Sequence, residues 1–200
     1  MSIEKREFVG KDLNNVEFKM YVRKPTMIEI QNAEFKFKIA KSQAIRAGAM
    51  TLDEAIKIVK ERNIWTDEQE NTLSELFKQV DEKVTKLKPE LPLEEGKKLC
   101  EEIDNIRTKI QLSQMPRIDV LSNTADSYAG EIRTQYFVSQ CTYYQDPNEK
   151  VYKSFEDVLN KGNEPYTGSA TENVIYLMNN ITDFRERYPE FTYKKEHNLL

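Results

Sequence analysis

The chain has 200 residues, of which 32% are charged and 38% hydrophobic, with a formal net charge of -4 and a mean hydropathy of -0.72. Six Gly, seven Pro and two Cys exclude collagen-like, low-complexity and disulfide-stapled classes, and the length suffices for a buried core. No run approaches the roughly 18 apolar residues of a membrane helix, so no membrane partner is expected. The N-terminus lacks an apolar leader and carries Ser2 where myristoylation requires glycine, and Cys100 and Cys141 fit a reducing compartment. Residues 1–48 hold ten Lys/Arg against six Asp/Glu, and the rest of the chain is acidic. A pI near 5.3 argues against bulk nucleic-acid binding, which needs clustered cations.

In chain order, Val16 to Arg23 alternates apolar and polar residues after the turn-forming Asp12-Leu13-Asn14-Asn15, and reads as a strand that pairs with Ile3 to Val9. Three capping boxes then start helices: Thr26 with Glu29, Thr51 with Glu54, and Thr66 with Gln69. The first helix carries a seam of Ile30, Ala33, Phe37, Ala40, Ala44 and Ala47, whose small residues admit a close partner helix, and Gly48 ends it. The second runs from Thr51 to Arg62, and Trp65 staples it to the next. Helices from Asp67 to about Leu87 and from Leu93 to about Leu112 flank Lys88-Pro89-Glu90-Leu91-Pro92, which predicts an antiparallel helical hairpin. Met115-Pro116 reads as a break before a fifth helix over Arg117 to Tyr143. Asp146 to Glu149 reads as a turn, Val151-Tyr152 as a brief extended piece, and Ser154 as the cap of a short helix. Lys161 to Ser169 reads as a loop, followed by a helix from about Ala170 to Arg187 with Val174, Leu177, Met178, Ile181 and Phe184 on one face.

The fold class is therefore mainly α, a helical bundle with a long antiparallel hairpin and a small N-terminal β element, at roughly 55 to 65% helix. One domain is expected, with a β element at 1–24, helices at 26–66, the hairpin at 67–113, C-terminal helices at 117–187 and a flexible tail at 188–200.

Catalytic residue types are scarce. His197 stands alone in a polar tail, so His-based triads and most zinc sites have no ligand set, and Cys100 and Cys141 lie on apolar faces as small hydrophobes. Dispersed glycines supply neither a phosphate-binding loop nor a dinucleotide fingerprint. Glu94-Glu95 and Glu101-Glu102 have Lys97 and Lys98 as ordinary surface partners. No catalytic residue, metal site or cofactor is expected. The aromatics Tyr136, Phe137, Tyr143, Tyr144, Tyr152 and Phe155 suit core edges and interfaces alike, with core packing the simpler reading.

Two stretches are similar to a family of small proteins of large contractile-tailed bacteriophages, including cyanophage relatives. In Ala44 to Gln69, AIRAGAMTLDEAIKIVKERNIWTDEQ, a small-residue helix ends in Gly, a short helix follows, and a Trp precedes an acidic helix start. In Phe137 to Leu159, FVSQCTYYQDPNEKVYKSFEDVL, a Ser-x-Cys-Thr segment leads through a polar turn to a short capped helix. The resemblance implies a virion component or tail-assembly factor of chaperone type, with phage virion or tail proteins as partners, in the bacterial host cytoplasm or incorporated into the virion. It implies no cofactor and no catalytic residue. A host-directed adaptor or inhibitor and a nucleic-acid accessory factor are the rival readings, and self-association through the hairpin is the further expectation. Ile28 and Phe35 lie off the seam of the first helix. If Val16 to Arg23 covers them they are core. If not, they form with Phe18, Tyr21, Tyr143 and Tyr144 a candidate partner-binding patch, and removal of residues 1–24 leaves most helicity in place.

Overall fold

The computed structural model describes residues 4–146, 148–181 and 184–199. In chain order the elements are β1 (Lys5–Lys11), β2 (Glu17–Arg23), α1 (Met27–Arg46), α2 (Leu52–Glu61), α3 (Asp67–Lys86), α4 (Leu93–Ser122), α5 (Ala125–Cys141), β3 (Thr142–Tyr144), α6 (Phe155–Asn160), α7 (Pro165–Met178), a 3-10 turn at Phe184–Arg187, and α8 (Pro189–Glu196). Among the described residues the protein is mainly helical, at 66%, with one small antiparallel sheet. The residues group into two compact units, one from Met1–Met50 and Ala125–Thr182, the other from Thr51–Thr124 and Asp183–Leu200. Ile3, Pro147, Leu200 and the side chain of Phe184 lie outside what the structure describes.

In the first unit, the Asp12 carboxylate accepts the N–H groups of Asn14 and Val16 and closes the hairpin of β1 and β2, whose pairing runs from Lys5 opposite Arg23 to Lys11 opposite Glu17. Alternation aims Phe8, Phe18, Met20 and Val22 into a core shared with Tyr136, Phe137, Val138, Tyr152 and Leu177. Because Met20 and Val22 are almost fully buried and Phe8 and Phe18 pack against them, the β1–β2 hairpin is part of this core and not a removable appendage. β3 extends the sheet, with Met20 opposite Tyr144 and Val22 opposite Thr142. The small-residue seam of α1 packs on α5, where Ala33 and Ala40 meet a helix that itself buries Ala125 and Ala129. Gly48, at φ +93°, takes the left-handed turn that ends α1. The Ala125 N–H donates to the Met50 carbonyl at 2.8 Å, pinning together the two points where the chain leaves this unit and returns.

In the second unit, α3 and α4 form the antiparallel hairpin. Lys83 near the end of α3 pairs with Glu102 near the start of α4, and Glu70 pairs with Arg117 at the opposite end. Their apolar stripes, Leu73 and Val80 with Ile103, Ile106 and Ile110, enclose a core that α2 completes through Val59. Trp65 joins this core, donates its indole N–H to Glu70 at 2.6 Å and carries the Arg117 guanidinium 4.5 Å above its ring.

Several boundaries differ from those read in the sequence, and three of the differences turn on proline. Pro116 lies inside α4, which continues to Ser122 because Ile110 before it and Val120 and Leu121 after it pack against the same core. Pro165 opens α7 inside the segment read as a loop, occupying a first-turn position where its missing N–H costs nothing. Pro189 likewise opens α8 in the segment read as a flexible tail. α8 lies on α4 because Gly96 leaves room for it: a Cβ there would collide with the Tyr193 hydroxyl. Glu190 pairs with Arg107, and Lys194 with Asp104. The helix expected to reach Arg187 ends at Met178.

Candidate partner-binding surface

α1 is fixed to the sheet by one ionic node. Glu29, third residue of the helix, accepts the Thr26 N–H at 2.7 Å to complete the capping box. It also accepts both arms of the Arg23 guanidinium from the end of β2, at 2.8 and 2.7 Å. The Arg23 bond, with the Thr26 bonds behind it, outweighs partial burial and holds the Glu29 carboxyl at about 2. The Glu29 bond in turn raises the Arg23 guanidinium above its ordinary value. Arg23 further donates to the Gln140 carbonyl and the Tyr143 hydroxyl, both at 3.3 Å. On the outer face of the sheet Tyr143 stacks on Tyr21, with ring centres 5.4 Å apart and planes at 13°, and the Lys5 ammonium caps Tyr21 at 4.0 Å.

The six candidate residues divide accordingly. Phe18 and Tyr144 pack against the core, their rings 5.8 Å apart, and Phe18 meets Tyr166 edge-on. Tyr21 is buried beneath Tyr143 and Lys5, and Tyr143 is half-buried in the Arg23 node. These four hold the sheet together and offer little free surface. Ile28 and Phe35 are uncovered, at 70% and 64% exposure, and the strand does not shield them. The sequence reading misses Ile39, 41% exposed, which falls 11 residues after Ile28 and extends the same outward stripe of α1. That spacing was legible in the sequence, where the first helix already runs to Ala47.

The aromatic cluster is core: Tyr136, Phe137 and Tyr152 are buried, and Phe155 packs against them. Cys141 is buried and its thiol is pushed up to about 12 by that burial, while Cys100, buried beneath Glu190, is also raised by burial. Neither is placed to act as a thiolate. The His197 ring stacks on Tyr193 at 4.0 Å, with Nδ1 2.9 Å from the Tyr193 carbonyl. Glu102 takes Lys83 of α3 as its partner, rather than the neighbouring lysines of its own helix, and that bond lowers its carboxyl. Among the described residues no group of three or more His, Cys, Asp or Glu could hold a metal ion, and no helix is long and apolar enough to cross a membrane.

In the second unit, α3, α4 and α8 border an open groove of about 720 Å³ lined by Phe77, Gln111, Gln114, Ile118, Tyr188 and Phe191. Of its charged residues, Arg107 pairs with Glu190 and Lys194 with Asp104, while Arg185 lies 5.0 Å over the Phe191 ring. The α1 stripe differs in standing proud of the surface. Compared with known protein families, curated proteins and solved structures, the chain matches none.

Proposed function

We propose that this chain is a non-enzymatic assembly or structural protein of a contractile-tailed bacteriophage, working in the host cytoplasm by protein–protein contact and carried by the particle if its partner is. The observation that carries this reading is the exposed stripe of Ile28, Phe35 and Ile39 on a helix whose opposite side is locked to α5 and whose first turn is locked to the sheet. Isolated exposed apolar residues are ordinary, but a row of them on a rigid helix is the form in which helical proteins grip a partner segment. The buried, raised thiols and the stacked histidine favour contact over catalysis. The similarity of Ala44 to Gln69 and Phe137 to Leu159 to phage proteins supplies the setting.

The test is a photo-crosslinking amino acid at position 35 of the full chain, expressed during infection by the phage that encodes it, with mass spectrometry of the cross-linked product and of purified particles. A cross-link to a virion or tail protein is the expected result. Cross-links to host proteins alone would establish the host-directed reading instead.

A further inference from the structure

Resting on the reading of α1 as the docking surface, we infer that its occupant is an acidic amphipathic helix. Ile28, Phe35 and Ile39 fall within about 40° of arc at 3.6 residues per turn. With Asn32, Ser42 and Arg46 they form a row spaced four, three, four, three and four residues apart, the spacing at which one helix lies along another at a shallow angle. Gln31 and Lys38 lie on one flank of this row and Gln43 and Lys36 on the other; Lys36 is turned to the Tyr136 and Phe155 rings, and the exposed Met27 and Ile45 lie just beyond Lys38. No carboxylate lies among them. The two carboxylates of α1, Glu29 and Glu34, lie toward its other side and are held by Arg23 and Arg133. No ion pair among the described residues engages Lys38 or Arg46.

The outward face is thus apolar along its centre, with amides and cations beside the row and an apolar edge at Met27 and Ile45, and it is free of negative charge, in a protein whose net charge is -4. A partner that buries the row gains two unspent cations if its own margins carry Glu or Asp. A second copy of α1 would bring cation to cation. A lipid surface would need an unbroken apolar arc, whereas Gln31, Lys38 and Ser42 stand between the Ile28 row and the exposed Met27 and Ile45. A helix with an apolar row and acidic margins satisfies every group on the face.

Two synthetic helical peptides with the same Leu/Ile row, one with Glu at its margins and one with Lys, test this against the full-length chain by fluorescence anisotropy at low and high salt. The acidic peptide should bind about tenfold or more tightly than its basic twin, with the advantage shrinking in high salt. Phe35→Ser should abolish that binding without changing the circular dichroism, because Phe35 is exposed, and the double variant Lys38→Glu with Arg46→Glu should reverse the preference. Equal affinities, indifference to Phe35→Ser, a dimer in sedimentation that Phe35→Ser dissolves, or preferential binding to phosphatidylglycerol vesicles would overturn the inference. A position-35 cross-link to a virion protein through a segment without acidic residues would refute this inference and leave the assembly function standing. Tight acidic-helix binding with no virion cross-link would do the reverse.

Discussion

Replacing Glu29 by Gln isolates the charge that ties α1 to the sheet. Gln keeps the shape and can still accept the Thr26 N–H, so the capping box survives and only the ionic part of the Arg23 contact is lost. The carboxyl lies at about 2 in the folded chain against an ordinary 4.5, and the side chains of Glu29 and Arg23 are only 15% and 29% exposed. A depression of that size corresponds to about 3 kcal/mol at neutral pH. Because the folded value is depressed, this stability is fully present above the ordinary carboxylate range and is lost as pH falls from about 4.5 toward 2. Urea unfolding of wild type and Glu29→Gln at a series of pH values measures it. Eight of the ten tyrosines lie in the first unit and the only Trp in the second, so tyrosine near-ultraviolet dichroism reports the affected unit and Trp65 fluorescence serves as internal control. The tyrosine transition should separate from wild type by up to about 3 kcal/mol at pH 7, the part that the surviving Thr26 bonds contribute being retained. That gap should close toward pH 2. A gap below about 0.5 kcal/mol at pH 7, the size of an ordinary surface substitution, or one that does not change with pH, would refute the reasoning.

Glu190→Ala should cost the second unit about 3 to 5 kcal/mol, seen in the Trp65 transition, because it strands the Arg107 guanidinium beside a site where the Glu190 side chain is 3% exposed. Gly96→Ala should displace Tyr193 and lower stability by about 1 to 3 kcal/mol, with hydrogen exchange accelerated in α8. Pro116→Ala should raise stability by about 1 to 3 kcal/mol, since a helix that already continues through this position regains a backbone hydrogen bond. Cys141, raised by burial to about 12, should react with a disulfide reagent at pH 8 about a thousandfold more slowly in the native chain than in urea, as mass spectrometry of the labelled residue will report.

Features written in adjacent residues were legible in the sequence. The three Thr-initiated helices, the two-strand hairpin and the helical hairpin each depend on spacings of two, three or four residues, and each is present. Proline was ambiguous because the same residue breaks a helix, opens one or is carried inside one, and the difference lies in distant contacts: Val120 and Leu121 on the second core for Pro116, the seat over Gly96 for the helix that Pro189 opens. β3 is three residues long and follows directly on a helix, so it had no period to show. Of the candidate patch, Ile28 and Phe35 are exposed, as their place off the seam implies. Phe18 and Tyr144 pack against the core instead, since whether a strand aromatic faces core or solvent depends on what covers it, here Tyr166 and the rest of the core.

The interrupted first unit has a consequence for synthesis on the ribosome. α1 emerges with Ala33 and Phe37 bare, and their cover, α5, follows only after the 74 residues of Thr51–Thr124 have been made. At roughly 5 to 20 residues per second that is about 4 to 15 s of nascent chain with an open seam, long compared with the time in which the intervening helical hairpin can form. In that interval the same helix is apolar on both sides, with the temporary seam and the permanent Ile28 stripe, so the nascent chain is most exposed to aggregation at α1.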